Sequence, residues 1–306
     1  MMILSSNPLV SVVVVSYNAA DTVIETLDSV LKQTYNNIEL IISDDCSEDN
    51  TEAIVSEWLE QHKDTFKGGA CLLTAGHNQG VCANFNKAIN FSKGEWIKII
   101  AADDILMSNC CEDYVKYTLD HPEAQFMTSY VDYYHDTFDR NNCVRRKVAV
   151  SNMSIFEQKA EVQLREMAYK IFVMAPTMFF SHYVFNKVGG FDERYIYEDH
   201  PFYMNLLENG YKIYFVEATT VGYRIHDSTV NSNSKLFNYR FAQNSRRFRK
   251  ERCLKYYSWS QRLATKMYYS VLNIYEKLGW NRKNKCSCAI FNGLIGAVWK
   301  FGEISK

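Results

Sequence analysis

Four apolar runs rich in β-branched residues alternate with helical patterns over the first hundred residues, and this alternation constrains the fold more than any other feature. The runs cover residues 10–16, 38–42, 71–74 and 95–101. Between them, apolar side chains recur at the three- and four-residue spacing of a helix. Apolar strands separated by helices form parallel sheets that are covered on both faces. The sequence therefore predicts an α/β fold with a mostly parallel central sheet flanked by helices.

The pattern is weaker beyond the fourth run. We predict a helix over residues 109–119, a strand over 124–130, irregular structure through Arg145, a helix over 201–209 and two short strands over 212–216 and 220–224. Helix-forming residues then predominate from 236 to 278. The apolar stretch 289–301 is too short to cross a bilayer.

Charge is distributed unevenly along the chain. Residues 1–234 carry 18 basic and 32 acidic side chains, whereas residues 235–306 carry 16 basic and 3 acidic ones. We predict an acidic body over 1–234, with halves at about 8–105 and 106–234, and a basic helical extension over 235–306. A basic, aromatic-rich extension suits an anionic membrane surface. A solvated helix face and an oligomer contact are the alternatives, and nucleic acid is not expected because no nucleic-acid motif accompanies the basic residues.

Cysteine usage and the absence of targeting signals indicate the compartment. The nine cysteines have neither zinc-site spacing nor a disulfide framework, which predicts reduced thiols. Residues 1–9 lack the positive region of a secretory leader. We therefore expect a cytoplasmic protein, with attachment to the inner face of the cytoplasmic membrane if the extension binds lipid.

Two pairs of carboxylates follow the second and fourth apolar runs. They are Asp44 with Asp45, and Asp103 with Asp104. Ligands of open α/β sheets bind beyond the carboxyl ends of the strands, and adjacent carboxylates suit magnesium or manganese carrying phosphate oxygens. The two pairs would meet at one sheet edge if these strands are neighbours. An Asp-Asp turn is also commonly a simple turn or a helix cap.

Two other nucleotide-binding classes are excluded by their motifs. No GxGxxG follows the first run and no GxxxxGK[ST] occurs in the chain, so neither a Rossmann dehydrogenase nor a P-loop NTPase is supported.

In its order and spacing, a series of motifs over residues 8–230 resembles family 2 glycosyltransferases of the GT-A fold. The motifs are Ser16-Tyr17-Asn18, Asp44-Asp45, Asn78-Gln79-Gly80 with Asn86, Asp103-Asp104, Gly189-Gly190-Phe191-Asp192, Glu198-Asp199 and Tyr223-Arg224-Ile225-His226. The resemblance implies a GT-A fold and transfer of a sugar from a nucleotide diphosphate to an acceptor hydroxyl, with inversion at the anomeric carbon.

The resemblance also implies roles for individual residues. Tyr17, Asn18 and Asp45 would line the nucleoside pocket, with Asp44 beside them, and Asp199 would be the catalytic base. The remaining donor-binding residues would be Ser16, Asn78, Gly80, Asn86, Asp103 and Asp104. The acceptor side would include Gly190, Phe191 and Glu198, and the metal, magnesium or manganese, would bind Asp104 and His226.

Two positions depart from the family pattern. Ala101 stands where many members have a further Asp, and Phe85 stands where an Arg often precedes the residue matched by Asn86. The first leaves one carboxylate fewer for the metal. The second leaves open which cation assists the donor phosphates.

An inverting transfer needs one carboxylate to accept the acceptor proton. Asp199 is the candidate, although Glu198 and Asp199 also suit an N-cap pair opening a helix that has Pro201 near its first position. We therefore predict a metal-assisted glycosyltransferase that moves a sugar, with UDP-sugar as the expected donor, to a glycan or lipid-linked glycan in surface polysaccharide synthesis. The alternatives are a nucleotidyltransferase acting on a sugar phosphate and a catalytically degenerate binding subunit.

Overall fold

The structure is a computed structural model that describes residues 7–148, 152–225 and 235–304. Its first part alternates strands and helices, as predicted. The elements are β1 (Val10–Ser16), α1 (Val23–Leu31), β2 (Ile38–Asp44), α2 (Thr51–His62), β3 (Ala70–Thr74), α3 (Val81–Phe91) and β4 (Trp96–Ala101). Every residue of β1 and β2 is buried, because helices cover both faces of these strands.

These four strands form the parallel part of the sheet. β1 is parallel to β2 on one side and to β4 on the other, and β3 extends the sheet beyond β2. The two strands that end in carboxylate pairs are therefore not neighbours, since β1 lies between them. The two carboxylate pairs therefore lie on either side of the end of β1. Ser16, the last residue of β1, is opposite Asp44 in the parallel register.

The second part adds antiparallel strands. Its elements are β5 (Ile105–Leu106), α4 (Cys110–Asp120), β6 (Phe126–His135), β7 (Cys143–Val148), α5 (Ala160–Tyr169), β8 (Phe179–Ser181), α6 (His182–Val188), α7 (Asp199–Glu208) and β9 (Tyr214–Ile225). β8 is antiparallel to β4 and β6, β7 to β6, and β5 to β9. Over the described ranges the strands form one nine-stranded sheet in the order β3-β2-β1-β4-β8-β6-β9-β5, with β7 paired to β6. The predicted α/β class is confirmed.

Two predictions for this part were wrong. The segment through Arg145 is not irregular throughout, because β7 begins at Cys143 and pairs with β6. The two short strands predicted near the end of the body are one continuous strand, β9. In both places, pairing with a distant strand outweighs the local sequence preference.

The chain divides into two compact units. The first consists of Met1–Leu164 and Phe172–Arg224, and the second of Arg165–Ile171 and Ile225–Lys306. The second unit contains α8 (Tyr239–Phe248), α9 (Trp259–Lys277) and α10 (Lys285–Gly302). The predicted helical C-terminal extension is thus confirmed.

The helices of the second unit have defined starts and a small core. Ser258 with Gln261, and Asn284 with Ser287, form capping boxes at the starts of α9 and α10. The core contains four buried residues, Ala242, Tyr269, Leu272 and Phe291. In the part of the chain that the structure describes, no helix is both long enough and apolar enough to cross a membrane.

Candidate functional site

The loops after β1 and β2 are joined by hydrogen bonds. Asn18 has a positive φ of 51°, a conformation that asparagine tolerates. Its backbone N–H donates to Ser47 Oγ at 2.8 Å, and its Oδ1 accepts from the Glu48 N–H at 2.8 Å. Tyr17 precedes it with 46% of its surface exposed. The two loops therefore hold Tyr17 at the open end of the sheet, where its ring is available to a ligand.

Asp44 is a buried organising residue of this edge. Its Oδ1 accepts from Ser16 Oγ at 2.8 Å and from Ser47 Oγ at 2.6 Å, and its Oδ2 accepts from the Ser47 N–H at 2.8 Å. These bonds fix the turn that follows β2. The sequence predicts that Asp44 lies beside the nucleoside pocket. In the structure, both oxygens of its carboxylate accept hydrogen bonds from other groups of the protein.

Asp45 joins the end of β2 to the start of α3. Its Oδ1 accepts from the Gln79 N–H at 2.9 Å, and its Oδ2 accepts from the Gly80 N–H at 2.8 Å. Gly80 has a φ of 89° and is the N-cap of α3. Asn78 Oδ1 also accepts from the Gly80 N–H, at 3.1 Å. The buried Asp45 carboxylate therefore orients this helix start.

Asn86 connects α3 to the loop that contains the predicted acceptor-side residues. Its Nδ2 donates to the Phe191 carbonyl oxygen at 2.9 Å and to Glu193 Oε1 at 2.8 Å, and its Oδ1 accepts from the Phe191 N–H at 2.9 Å. Gly190 has a φ of 70°, and a Cβ there would lie 3.0 Å from Asn86 Oδ1. The Phe191 ring is buried against Phe85. Asn86, Gly190 and Phe191 thus form a fixed wall.

Asp103 and Asp104 follow β4, and Arg224 binds their turn from β9. The Arg224 backbone N–H donates to Asp104 Oδ1 at 2.9 Å, and its Nε donates to the Asp103 carbonyl oxygen at 2.8 Å. Its two terminal nitrogens donate to the Asp136 carbonyl oxygen and to Glu25 Oε2. The carboxylate that pairs with the Arg224 side chain is therefore that of Glu25.

The carboxylate of Asp104 is electrostatically strained. Burial raises the pKa of Asp104 well above its ordinary range, and the neighbouring Asp103 charge raises it further. A divalent cation would relieve both effects, because it neutralises adjacent carboxylates that the protein has removed from water. Asp103 is only half-buried. The two hard oxygen donors therefore fit such a cation.

A complete metal site is not assembled by the described residues alone. Within residues 7–148, 152–225 and 235–304, no group of three or more His, Cys, Asp or Glu side chains could hold a metal ion. His226, the other predicted metal ligand, lies outside the described residues.

Glu198 and Asp199 form a second pair of carboxylates at the start of α7. Burial and the Asp199 charge raise the pKa of Glu198 to about 7. Burial also raises the pKa of Asp199, while the His200 N–H, which donates to Asp199 Oδ1 at 2.6 Å, opposes that rise. Glu198 occupies the N-cap position but makes no side-chain capping bond, and Pro201 is the third residue of the helix. Helix capping therefore does not account for Glu198, whereas Asp199 accepts one N–H of the first turn.

Two side chains have pKa values that respond to several of these carboxylates. The pKa of Tyr223 is raised by burial and then by Asp104, Asp103, Tyr133 and Glu198. The charge of Glu198 and those of the strand-end pair thus reach the same hydroxyl group. The pKa of Cys82, in the first turn of α3, is raised to about 12 by burial and by charges that include Glu198 and Asp199. Hence α3, which Asp45 orients, also borders the Glu198–Asp199 pair.

Sequence reasoning missed three polar residues at this site or set them aside. Tyr203 is buried four residues after Asp199, and its hydroxyl has no hydrogen-bond partner among the described residues. Burial and then the charges of Asp199 and Glu198 raise its pKa. The Lys87 Nζ is likewise buried without a described partner, and burial lowers the pKa of Lys87. Helical spacing from Asp199 is the signal that would have found Tyr203.

The third residue is Lys98, to which the sequence analysis assigned no role. It is buried in β4, and its Nζ donates to the Ile99 and Pro176 carbonyl oxygens at 2.7 and 2.5 Å. Its ammonium group therefore satisfies backbone acceptors inside the sheet.

Replacing Glu198 by Gln tests the raised pKa through protein stability. Folded Glu198 keeps its proton up to a pKa of about 7, compared with an ordinary value of 4.5. Because the folded state binds more protons between these values, wild-type stability falls as the pH rises through this window. Glu198→Gln removes the titration, so we expect it to be more stable than the wild type above about pH 8, by on the order of 2 kcal/mol. Urea unfolding across the pH range measures the difference.

Glu60→Gln is the control for loss of a carboxylate, since Glu60 is exposed and bonds only to Lys63 in the described contacts. An equal decline of stability with pH in Glu198→Gln and the wild type would contradict the assigned pKa.

Comparison with known proteins identifies the family. A family model described as Glycosyl transferase family 2 matches residues 11–189. One similar protein is the Escherichia coli UDP-Glc:alpha-D-GlcNAc-diphosphoundecaprenol beta-1,3-glucosyltransferase WfaP, which is 25% identical over 228 residues covering 74% of this chain and 80% of the relative.

Solved structures share the fold. The 1–349 fragment of S. aureus TarS in complex with UDP-GlcNAc matches with a TM-score of 0.58 at 20% identity, over 78% of this chain and 64% of that one. The mannosyltransferase PcManGT from Pyrobaculum calidifontis, in complex with GDP-Man and Mn2+, matches with a TM-score of 0.53 at 22% identity, over 71% and 56%. The chain thus spans less than two thirds of each of these solved chains. The predicted GT-A fold is confirmed, and because the family model covers more than half of the sequence, the chain belongs to glycosyl transferase family 2.

Proposed function

We propose that this enzyme is an inverting glycosyltransferase that moves a sugar from a nucleoside diphosphate to an acceptor hydroxyl during surface polysaccharide synthesis. The observation that carries the proposal is the Glu198–Asp199 pair. Both carboxylates have raised pKa values, and the charge of Glu198 acts on the Tyr223 hydroxyl, as do those of Asp103 and Asp104. A proton acceptor and an acidic donor-binding turn on one face are what an inverting transfer requires. Family membership favours this reading over a nucleotidyltransferase or a binding subunit.

The donor is expected to be a UDP-sugar. Both WfaP, by its name, and TarS, in its complex, use or bind UDP-sugars. In our proposal the exposed Tyr17 ring packs on the base, and Asn18 and Asp45 supply polar contacts. Both Asp45 oxygens already accept backbone N–H groups, so the carboxylate is held rigidly for any further bond that it accepts.

The cation is expected to be magnesium or manganese, with Asp103 and Asp104 as the residues that would hold it and His226 as the further ligand implied by the family resemblance. When bound, the cation would offset the charge that develops on the departing diphosphate. The Mn2+ complex of PcManGT is consistent with this choice. Arg224 of β9 holds the Asp103–Asp104 turn through two hydrogen bonds.

Asp199 is the proposed base. Its carboxylate accepts the proton of the acceptor hydroxyl as that oxygen attacks the anomeric carbon. The raised pKa strengthens it as a proton acceptor near neutral pH. The His200 N–H donates to Oδ1, and in our proposal Oδ2 receives the proton of the acceptor hydroxyl. The wall formed by Asn86, Gly190 and Phe191 is proposed to border the acceptor.

The acceptor is proposed to be a glycan or a lipid-linked glycan, in keeping with the diphosphoundecaprenol named in WfaP. Such an acceptor implies a cytoplasmic enzyme that works at the inner face of the membrane. All nine cysteines are free, which suits a reducing compartment. The basic extension is proposed to contact an anionic membrane surface.

Thermal unfolding with nucleotides tests the donor site. We expect UDP with manganese to raise the melting temperature of the wild type, by more than GDP, CMP or dTDP do, because a ligand that binds only the folded state stabilises it. EDTA should remove most of the shift. Asp104→Asn keeps the shape of the side chain but halves the charge of the pair, and we expect it to lose the metal-dependent part.

Glu60→Gln is the matched control, since it removes an exposed carboxylate elsewhere in the first unit. Selective stabilisation by GDP would replace the UDP assignment. No stabilisation by any of the nucleotides would overturn the proposed donor site.

A further inference from the structure

We propose that the exposed faces of α9 and α10 form one docking surface for an anionic lipid bilayer. The inference rests on the proposed function in one respect, the lipid-linked acceptor that docking would bring within reach. The charge of the basic extension already suggests an anionic membrane as its partner. The structure adds which helix faces and which residues would contact it. We call this face the α9–α10 face.

Half of α10 is exposed, and most of the residues on that half are apolar; Cys286, Asn292 and Lys300 are exposed on the same helix. Residues with exposed side chains or backbone recur there at helical spacing, namely Ala289, Ile290, Gly293, Leu294, Gly296 and Ala297. Ile290 alone leaves 60% of its surface exposed. The opposite side of the helix carries the buried Phe291 and Val298. A helix of the second unit therefore presents a mostly apolar strip, with the basic Lys300 near its end, that has no partner among the described residues.

The exposed part of α9 adds two parallel rows. One row is apolar. It contains Trp259, Leu263 and Met267, which are four residues apart, and Ile274 two turns further along. The other row is basic and exposed, with Arg262, Lys266 and Lys277. The exposed residues of the helix include no acidic side chain. Trp259 has 65% of its surface exposed, at the first helical position. An apolar strip beside a basic row is the arrangement of helices that lie in a membrane interface.

Charge and chemistry favour a bilayer over other occupants. A second copy of the same face would bring basic rows together, in a segment where residues 235–306 hold 16 basic and 3 acidic side chains. Like charges at that density oppose self-association. Nucleic acid would satisfy the basic row but not the aliphatic strip of Ile290 and Leu294, since its backbone offers phosphates and its bases need aromatic stacking partners. Anionic lipids match both rows.

Vesicle sedimentation of the full chain tests the proposal. We expect the wild type to bind vesicles that contain phosphatidylglycerol, to bind vesicles of phosphatidylcholine weakly, and to be released by salt. Ile290→Ser with Leu294→Ser should lower the partition coefficient on the order of ten-fold through lost apolar contact. Arg262→Gln with Lys266→Gln should lower it roughly five-fold for each charge removed.

Two matched controls use exposed residues of the first unit. Leu119→Ser removes a leucine that is 47% exposed on α4, and Lys32→Gln removes an exposed lysine next to α1. Both should bind vesicles like the wild type. All substituted side chains are exposed, so circular dichroism should show intact folds.

Three results would overturn the inference. They are no binding of wild type to anionic vesicles, equal binding by the face variants and the controls, and a concentration-dependent dimer that Ile290→Ser with Leu294→Ser dissociates. The last would assign the face to a second copy. Nucleotide stabilisation is measured on the same variants, so loss of vesicle binding with intact stabilisation would reject the docking face and leave the proposed enzyme function standing.

Discussion

Asp199→Asn is expected to lower turnover by about two to four orders of magnitude while leaving nucleotide-induced stabilisation nearly intact. Asparagine keeps the shape of the side chain, and its oxygen still accepts the His200 N–H that bonds Asp199 Oδ1 at 2.6 Å. It removes the basic oxygen that would accept the acceptor proton. Turnover with a panel of nucleotide sugars and acceptors gives the first quantity, and the thermal shift with UDP and manganese gives the second.

The pH profile adds a test that a structural role would not satisfy. The pKa values of Asp199 and Glu198 are both raised, that of Glu198 to about 7. Because the base must be deprotonated, wild-type turnover should rise with pH through the raised pKa of Asp199 and then level off. The residual activity of Asp199→Asn should lose this dependence on pH.

Glu60→Gln is the control, because it changes an exposed carboxylate of the same unit that pairs with Lys63 at 2.9 Å. We expect its turnover to stay within about ten-fold of the wild type. Unchanged turnover in Asp199→Asn would reject Asp199 as the base. If Glu198→Gln showed the full loss instead, the role would pass to Glu198.

The first half of the fold was predictable because its signals are local. β1, β2 and β4 are runs of apolar residues buried on both faces, and the helices between them have clear periodicity. β7 gave no such signal, since its described side chains at Val144, Arg145 and Arg146 are exposed. Its existence depends on pairing with β6. Long-range pairing of this kind leaves little trace in the local sequence.

The candidate site shows the same division. The rule that ligands bind beyond strand ends located Asp45 and Asp104, but it could not give their partners. Asp45 bonds Gly80 across 35 residues, and Asn86 bonds Phe191 across 105 residues. These contacts depend on how β1 separates β2 from β4 and on how the later loops return to α3. The sequence also could not show that the Asp44 carboxylate accepts hydrogen bonds from Ser47 in the turn that follows β2.

Arg224→Met is expected to reduce the free energy of unfolding by about 3 kcal/mol and to weaken the metal-dependent stabilisation by UDP. The Arg224 guanidinium is buried, lies 4.3 Å from the Phe138 ring centre, and donates to the carbonyl oxygens of Asp103 and Asp136 and to Glu25. Methionine fills part of the volume but removes the three side-chain hydrogen bonds that Arg224 donates. Urea unfolding measures the first effect, and calorimetric titration of UDP with and without manganese measures the second.

Arg224→Lys tests whether the charge of Arg224 is sufficient, and Arg247→Met is the control for the loss of an exposed arginine. Lysine restores the charge but not the planar set of donors that reaches three directions, so we expect only partial recovery of both quantities. Arg247 pairs with Glu251 at 2.9 Å on an exposed helix surface, and its loss should cost less than about 1 kcal/mol. If Arg224→Met were as stable as the wild type, the proposal that Arg224 stabilises the Asp103–Asp104 turn would be refuted. Lower stability with unchanged manganese dependence would show that Arg224 supports the fold alone, because a residue that positions Asp103 and Asp104 must also change how tightly they hold a cation.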